Sequence, residues 1–297
     1  MILLSLTGEF VLPPILLNRV IQPDEHILLH TKINAGTTQR IKNMLSGVSL
    51  ECIPDDDFHA VLEKIGVYSV RPGCILDLSG GSRLEALAGF EAARNRLLPF
   101  VYLKKDGFRY KFYRFEFPRS LPQQMGCSTI SGLITIKDYL IAHGQTPLDK
   151  MAFNNPNEEA LERWIRWRCD EILTNQNLFG TNVNFVLRRG NQVGLSIYKS
   201  QEKYFYEGVD QLATLGMSGR FGDYTGLLLI LNRLPDAHLE KYAKEKKVEL
   251  AVMVGKKDAT NGKIAFDPVS QRKLEKVFDD VIGLDWIRPQ KPNPHHK

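Results

Sequence analysis

Two glycine-containing turns in the first half of the sequence carry groups that could bind a phosphate. One turn follows an apolar run that ends at Leu78, and the other follows the apolar N-terminus. Backbone N–H groups at a glycine turn or a helix N-terminus attract anions, and an arginine adds a full positive charge. The candidate ligand-binding residues are Thr7, Gly8 and Glu9 in one turn and Ser79, Gly80, Gly81, Ser82 and Arg83 in the other.

A third loop of similar composition, residues 34–40 (NAGTTQR), adds Thr37, Thr38 and Arg40 to the candidate set. A double glycine alone is also typical of an ordinary turn. Three loops with hydroxyls, glycines and arginines at one edge of a sheet favour a phosphate or nucleotide site instead.

Such convergence requires a parallel sheet, and the first half of the sequence has the pattern of one. Short apolar runs predict strands, and the segments with helical spacing between them predict helices. The predicted strands are 2–5, 26–30, 49–53, 74–78 and 98–103, and the predicted helices are 13–21, 37–45, 58–65 and 82–95, with Ser82 as a helix N-cap. Strands that alternate with helices predict an α/β fold with its ligand outside the carboxyl ends of the strands.

Residues 104–119 (KKDGFRYKFYRFEFPR) interleave basic and aromatic residues. Alternation with period two across an Asp-Gly turn predicts a β-hairpin with one exposed face, which would extend the sheet in antiparallel fashion. A nucleic-acid-binding stripe is the alternative. The hairpin is favoured because the formal net charge is only +5 and is spread over both halves of the chain.

Length and composition predict a cytoplasmic protein of two domains. A chain of 297 residues exceeds the usual size of one hydrophobic core. No apolar run approaches the roughly 20 residues of a membrane helix, and the N-terminus lacks the basic leader of a signal peptide. The four cysteines form no C-x-x-C pair and have no histidine at metal-ligand spacing, so we expect no metal and reduced thiols.

Several segments together resemble one protein family. The first strand with its Thr-Gly turn and residues 77–93 (DLSGGSRLEALAGFEAA) are similar to the CRISPR-associated Rossmann-like (CARF) sensor domain of cyclic-oligoadenylate-activated nucleases of type III CRISPR systems. Residues 132–144 (GLITIKDYLIAHG) resemble the linker helix of that family. Three further segments resemble the nuclease domain of the family: residues 161–167 (LERWIRW), 217–230 (MSGRFGDYTGLLLI) and 239–252 (LEKYAKEKKVELAV).

The resemblance implies a homodimer whose two sensor domains form one two-fold pocket for a ring of adenylates, with four as the expected number. Thr7, Gly8 and residues 79–83 would contact the ring. This chain has Ser82 and Arg83 where the family more often has threonine and lysine. At position 83, the compact ammonium group of lysine is thus replaced by the planar guanidinium group of arginine, which has several N–H donors. Glu9 is expected to point away from a phosphate or to meet a base.

The second half is predicted to begin with a capped helix. Asn155 is a suitable N-cap, and Pro156 follows at the first helical position. Apolar residues at helical spacing continue as far as Ile172, so we expect a helix over this length, with Trp164 and Trp167 in the core or an interface. Two strands, 182–188 and 192–199, follow and are joined by the turn RRGN.

In the family, this hairpin carries a restriction-endonuclease-like centre with an acid on the first strand and an acid-x-Lys on the second. Two carboxylates are needed there to hold a divalent metal ion. When the chains are aligned on the turn, the acids fall on Asn184 and Ile197, and only Lys199 remains. Glu162 would be an accessory acid. Because isoleucine cannot bind a metal, the resemblance implies that the metal site is lost.

A relocated centre is the alternative, because Glu202 and Lys203 in residues 201–203 (QEK) imitate a shifted motif. A shift by four residues keeps the strand face but moves the site about 13 Å along the strand. We therefore expect these two side chains to be solvated turn charges.

The sequence thus predicts a Rossmann-like sensor domain over residues 1–145 and a degenerate nuclease-like α/β domain over residues 146–297. The chain would bind or sequester a cyclic oligoadenylate in antiviral defence, alone or through a protein partner. It could also cleave the ring in the sensor pocket, where hydroxyls of Thr7, Ser79 or Ser82 would orient a ribose 2′-hydroxyl. The alternative is a ligand-activated DNA or RNA endonuclease that uses Mg²⁺ or Mn²⁺; no other cofactor is expected. A dinucleotide-dependent oxidoreductase is set aside because no G-x-G-x-x-G turn follows the first strand.

Overall fold

The computed structural model describes residues 1–55, 57–106, 109–148, 153, 155–217, 220–222, 225–257 and 264–283. The chain forms two compact units. The first comprises Met1–Asp149 and Met217–Gly222, and the second comprises Lys150–Gly216 and Asp223–Lys297. Within the described ranges, no helix combines the length and apolar character that crossing a membrane requires.

The first unit is built on a mostly parallel sheet. Its described strands are β1 (Ile2–Leu6), β2 (Glu25–His30), β3 (Val48–Cys52), β4 (Cys74–Asp77), β5 (Phe100–Asp106), β6 (Arg109–Glu116) and β7 (Gln123–Ile130). Its described helices are α1 (Leu12–Ile21), α2 (Ala35–Met44), α3 (Phe58–Ser69), α4 (Arg83–Arg96) and α5 (Ile136–Ala142). The sheet order is β3-β2-β1-β4-β5-β6-β7, and β1 to β5 run parallel to one another.

The centre of this sheet is apolar on both faces. All five residues of β1 are buried, which is typical of a parallel strand with both faces covered. On one face, Leu4, Leu6 and Leu76 pack with Ala88 and Ala92 of α4. These small side chains let α4 lie close to the sheet, and residues 78–82 form the turn that joins β4 to α4.

The predicted hairpin forms the antiparallel edge of the sheet. β5 pairs with β6 from Phe100 opposite Phe115 to Asp106 opposite Arg109, and Gly107 of the predicted turn lies outside the described residues. β7 adds a further antiparallel strand that was not predicted. Seven of its eight residues are exposed, so the sequence has no apolar alternation to mark it.

The second unit contains a mixed sheet. Its described strands are β8 (Glu171–Leu178), β9 (Thr181–Arg189), β10 (Gln192–Lys199), β11 (Gly226–Leu231), β12 (Glu249–Val252), β13 (Gly255–Lys257) and β14 (Ile264–Phe266). Its described helices are α6 (Pro156–Arg166), α7 (Phe205–Leu215), α8 (Ala237–Glu245) and α9 (Pro268–Ile282), with a 3₁₀ turn at Glu202–Tyr204. The main sheet has the order β12-β11-β10-β9-β8, with β8, β9 and β10 antiparallel and β10, β11 and β12 parallel. The predicted α/β fold class is confirmed.

The first helix of the second unit is shorter than predicted. Asn155 caps α6 as expected, but the helix ends at Arg166, and Ile172 lies in β8. Cys169 and Ile172 still pack against the same core as Leu161 and Ile165, so a helical spacing arose from two different elements. Trp164 packs edge-on against Phe278, with the ring centroids 5.9 Å apart. Trp167 lies just beyond the helix end and is 78% exposed, so it lies outside the core, and its alternative placement in an interface stays a prediction.

Candidate functional site

A cavity of about 360 Å³ opens in the first unit beyond the carboxyl ends of its parallel strands. Loops that follow β1, β2, β3 and β4 all contribute to it, as expected for a ligand site in a sheet of this type. Its lining residues are Gly8, Glu9, Phe10, Thr31, Ile33, Asn34, Asp55, Gly81, Ser82, Arg83 and Glu85.

The two glycine turns of the sequence meet at this cavity. A Cβ atom on Gly8 would lie 3.1 Å from both the Cα and the backbone N of Gly81, so the two backbones are in contact. Gly81 has φ +76°, a left-handed conformation that favours glycine. The absence of side chains at these positions therefore allows the turns to converge and leaves backbone atoms at the cavity wall.

Gly80 and Ser79 have packing roles and are not among the lining residues. A Cβ atom on Gly80 would overlap the carbonyl oxygen of Leu6 in β1. The Ser79 hydroxyl accepts a hydrogen bond from the Leu103 N–H at 2.7 Å, and the Ser79 N–H donates to Asp77 Oδ1 at 2.7 Å. Both residues hold the turn against the sheet.

The threonines Thr7 and Thr38 also face the protein interior. Thr7 Oγ1 donates to the carbonyl oxygen of Leu29 at 2.9 Å and lies 3.2 Å from Thr38 Oγ1. Thr38 Oγ1 donates to the carbonyl oxygen of Asn34 at 2.9 Å. These buried contacts join the end of β1 to the start of α2 and do not line the cavity.

Thr37 and Arg40 likewise contact other parts of the first unit. A terminal nitrogen of Arg40 donates to Thr37 Oγ1 at 2.9 Å, and Arg40 Nε donates to the carbonyl oxygen of Ala142 at the end of α5, at 3.1 Å. The third loop instead contributes Asn34 and its neighbours to the cavity. The structure thus brings Gly8, Glu9, Gly81, Ser82 and Arg83 together from the predicted set.

A reciprocal cap fixes the start of α4 at the cavity wall. Ser82 Oγ accepts from the Glu85 N–H at 3.2 Å, and Glu85 Oε2 accepts from the Ser82 N–H at 2.6 Å. The predicted N-cap at Ser82 is confirmed. Glu85 is only 3% exposed, and its role was not predicted although the Ser-x-x-Glu spacing is the usual sign of such a cap.

The cavity is mixed in charge. Arg83 is its cationic side chain; it is exposed and makes no hydrogen bond or ion pair with any residue in the described part of the chain. The first intrahelical bond runs from Ala86 N–H to the Ser82 carbonyl, so the N–H groups of Arg83 and Leu84 precede the hydrogen-bonded helix. The carboxylates of Glu9 and Asp55 lie on the other walls, and that of Glu85 is bonded to the Ser82 N–H at the helix start. An anion would bind at the helix start, and hydrogen-bond donors would suit the acidic walls.

Buried polar groups lie beneath the turn that ends β4. Asp77 is fully buried, and burial raises the pKa of its carboxyl to about 6. In the register of the sheet it lies opposite Ser5, whose Oγ is 2.9 Å from Nε2 of the buried His26. Asn18 donates to His26 Nδ1 at 3.1 Å, so Nε2 carries the proton, and burial lowers the pKa of His26 to about 4. This network fixes the turn through the bond from Ser79.

In the second unit, the two positions expected to carry metal acids have other contacts. The Ile197 side chain is 2% exposed in the middle of β10. Asn184 Oδ1 accepts a hydrogen bond from the Tyr198 N–H at 2.8 Å, and the Asn184 side chain also bonds Glu158. Burial raises the pKa of Glu158, and this hydrogen bond opposes the rise.

The remaining charged candidates of the second unit are each paired elsewhere. Lys199 Nζ lies 3.7 Å from Glu207 Oε1, and Glu162 accepts a hydrogen bond from Arg166 on the same helix. The exposed Glu202 accepts from Arg233 at 2.8 Å, and Lys203 lies 4.8 Å from the ring centroid of Tyr204. Among the residues that the structure describes, no group of three or more His, Cys, Asp or Glu is arranged to hold a metal ion.

Known structures share this fold, although no family model matches the sequence and no curated protein matches it in sequence. Can2 from Sulfobacillus thermosulfidooxidans, solved in complex with cyclic tetra-adenylate, superimposes with a TM-score of 0.71 at 11% identity, over 95% of this chain and 99% of that one. Protein VC1899 from Vibrio cholerae gives a TM-score of 0.61 at 12% identity, over 84% and 93% of the two chains. A type III CRISPR defence DNA nuclease activated by cyclic oligoadenylate gives a TM-score of 0.58 at 15% identity; 93% of this chain matches 52% of that one. At these identities the likeness is one of fold, and it confirms the fold-level resemblance expected from the sequence.

Proposed function

We propose that this chain is a sensor of type III CRISPR defence that binds a cyclic oligoadenylate, with cyclic tetra-adenylate as the expected ring, in the cavity of its first unit. The main support is that the two glycine turns and the start of α4 converge on this cavity at the carboxyl edge of the sheet. The fold is shared along nearly the whole chain with Can2, a protein solved with cyclic tetra-adenylate. CRISPR defence proteins act in the cytoplasm, so we place the protein there.

In this proposal, different walls of the cavity bind different parts of the ligand. Arg83 and the free N–H groups at the start of α4 would bind a phosphate, because charge-assisted hydrogen bonds are the strongest available there. Phe10, which is 45% exposed, would pack against a base. The acidic walls and Asn34 would accept hydrogen bonds from the amino group of an adenine. Glu9 would then face a base, and its carboxylate would not repel the phosphate bound at the start of α4.

A homodimer would present these groups twice. A ring of identical nucleotides has rotational symmetry, and a two-fold dimer places the same loops on both sides of such a ligand. We therefore propose one ring for two chains, with each chain contributing one cavity.

The second unit is proposed to act without metal-dependent cleavage. A hard divalent ion is usually held through one or two carboxylates, and the buried Ile197 and the neutral Asn184 supply neither. The protein would then act as a ligand sink or through a protein partner. Cleavage of nucleic acid that requires Mg²⁺ or Mn²⁺ and is lost in Glu202→Ala would favour the relocated centre instead.

The binding proposal is tested by calorimetry with cyclic tri-, tetra- and hexa-adenylate. Arg83→Ala should weaken binding of the preferred ring about 10- to 100-fold, because one charge-assisted hydrogen bond is lost. Arg94→Ala is the matched control, since Arg94 lies on the same helix and pairs with Glu91 on the surface. Failure of the wild type to bind any of the rings, or equal affinity in both variants, would contradict the proposal.

A further inference from the structure

The antiparallel edge of the first unit has an exposed face outside the cavity. Alternate residues of a strand point to the same face of a sheet, and residues directly opposite each other on neighbouring strands share that face. What we call the aromatic–basic face comprises Tyr102, Lys104 and Asp106 of β5, Arg109, Lys111 and Tyr113 of β6, and Cys127 and Thr129 of β7. All residues that line the cavity precede β5 in the chain, so this face is a separate surface.

The two tyrosines of the face continue a stack of aromatic rings that begins in the core. Phe100 and Phe115 lie opposite each other one row earlier, with nearly parallel rings 4.7 Å apart, and Phe90 of α4 packs edge-on against Phe100. The Tyr113 ring is inclined by 23° to that of Phe115, with the centroids 6.4 Å apart. Tyr113 is half-buried, and Tyr102, directly opposite it, is 43% exposed. The tyrosine row therefore presents aromatic surface to the solvent.

Positive charge in the first unit is concentrated on the same hairpin. Residues 104–119 contain six basic and two acidic side chains, whereas the rest of residues 1–145 contains ten basic and twelve acidic ones. The face itself has three basic side chains and one acid, Asp106, which forms an ion pair with Lys111 at 2.5 Å. The face thus keeps a positive charge within a unit that is otherwise slightly acidic.

Exposed aromatic rings beside basic side chains suit a single strand of nucleic acid. Every base has a π-face that can stack on an aromatic ring, and lysine or arginine neutralises the phosphates. The lysine row, in which Lys104 lies opposite Lys111, is about 7 Å along the strands from the tyrosine row, so a base on the tyrosines would bring its phosphate within reach of the lysines. An acidic protein partner would use the charges, but it would give no reason for two adjacent open rings.

We propose that the aromatic–basic face binds a single strand of RNA or DNA, with bases stacked on its two tyrosines and phosphates bound by its three basic side chains. This role goes beyond the proposed function, because neither the cavity nor a cyclic oligoadenylate takes part in it. It also makes the two interpretations of residues 104–119 compatible, since the segment forms the predicted hairpin and one face of that hairpin carries the basic and aromatic stripe.

The first test measures the affinity of the full-length protein for labelled strands of about 12 nucleotides by fluorescence anisotropy, in EDTA and without any cyclic oligoadenylate. Tyr102→Ala should weaken binding about 5- to 100-fold, because one stacking contact is lost. Tyr102→Phe keeps the ring and should bind like the wild type. Tyr206→Ala is the matched control, because Tyr206 belongs to the second unit and has a similar exposure of 37%.

Strands of the same sequence in RNA and in DNA show which sugar the face prefers. A duplex of that sequence should bind more weakly than either single strand, because its bases are already stacked on one another and do not reach the tyrosines.

The second test separates the charges from the rings by their salt dependence. Each phosphate contact to a single strand adds about 0.7 to the slope of log affinity against log salt concentration, so three contacts predict a slope of about 2 in magnitude. Lys104→Gln should lower this slope by about 0.7, whereas Tyr102→Ala should leave it unchanged. Lys137→Gln is the control, because Lys137 is an exposed lysine of α5 outside the face.

Three results would overturn the proposal. One is the absence of binding of both single strands at low salt. Another is an affinity that is unchanged in Tyr102→Ala, which would place the nucleic acid elsewhere on the protein. The third is a duplex that binds as tightly as the single strands.

Self-association of the wild type that is lost in Tyr102→Ala, with no binding of the strands, would also contradict the proposal and would assign the face to a second copy of the chain. None of these results bears on the cyclic oligoadenylate, because the ring is absent from both tests.

Discussion

The glycine turns of the first unit and the β9–β10 hairpin of the second unit resemble functional motifs of the same family, but they differ in what fills them. At the turns, glycines and an exposed arginine leave backbone and charge open to a cavity. At the hairpin, Ile197 is buried, and the side chain of Asn184 is bonded to Tyr198 and Glu158. A motif position is available for chemistry only where the surrounding packing leaves it open, and this difference is why we propose the ligand site in the first unit.

The largest expected effect comes from placing an acid at the buried position of the β9–β10 hairpin that the family resemblance assigns to a metal ligand. Ile197→Glu would place a carboxylate at a position that is 2% exposed, and an uncompensated buried charge costs about 3–5 kcal/mol. Urea unfolding without metal should show this loss in the free energy of unfolding. Adding Asn184→Asp and then Mn²⁺ should recover part of it, because a bound ion would compensate the two acids.

A stable Ile197→Glu variant, with no loss of unfolding free energy, would show that a carboxylate at position 197 reaches solvent and that the packing there does not close the site. Asn182→Asp, on an exposed residue of the same strand, is the control and should leave the free energy of unfolding nearly unchanged.

A smaller loss is expected at the first unit. Gly80→Ala would press a Cβ atom against the Leu6 carbonyl oxygen and should lower the free energy of unfolding by about 1–3 kcal/mol. Gly126→Ala in β7 is the matched control, because a Cβ atom there has no neighbour within 4 Å. Equal stability of the two variants would contradict the packing role of Gly80 and return it to the set of candidate ligand contacts.

The smallest expected effect is on the pH dependence of stability. The pKa of buried His26 is about 4 against an ordinary value of 6.5, so between these values the unfolded chain binds more protons and stability rises with pH. The pKa of Asp77 is about 6 against an ordinary 3.8, so its contribution falls as pH rises through that window. His26→Gln should therefore reduce the slope of unfolding free energy against pH, and Asp77→Asn should increase it, each by at most about 1.4 kcal/mol per pH unit.

Unfolding curves at several pH values between 4 and 6.5 measure these slopes. Shifts of the same sign in both variants would show that the two buried groups are not ionised as described.

The sequence predicted the sheet that supports the cavity better than the cavity itself. Buried parallel strands are continuous apolar runs, so β1 to β5 were predicted with only small shifts at their ends. Ser82 and Asn155 were recognisable as helix caps because capping depends on a few local residues. By contrast, β8 was missed because its residues Thr174, Asn175, Gln176 and Asn177 give no apolar alternation.

The direction of a side chain within a loop could not be predicted from residue type. Thr7 and Arg40 have suitable chemistry for a phosphate, but they donate hydrogen bonds to backbone carbonyl oxygens of β2 and α5 instead. Phe10 and Asn34 were missed because each becomes part of the site only when distant loops converge. Glu85 could have been found, since the Ser-x-x-Glu spacing is visible in the sequence.

The central claim is that the glycine turns of two chains bind one cyclic oligoadenylate. The most direct measurement is native mass spectrometry of the full-length protein titrated with cyclic tetra-adenylate, with linear tetra-adenylate as the control. The account predicts a dimer that takes up a single cyclic ring, a much weaker complex with the linear form, and binding about 10- to 100-fold weaker in Arg83→Ala but unchanged in Arg94→Ala. A monomer that binds one ring per chain, or a complex that persists unchanged in Arg83→Ala, would contradict it.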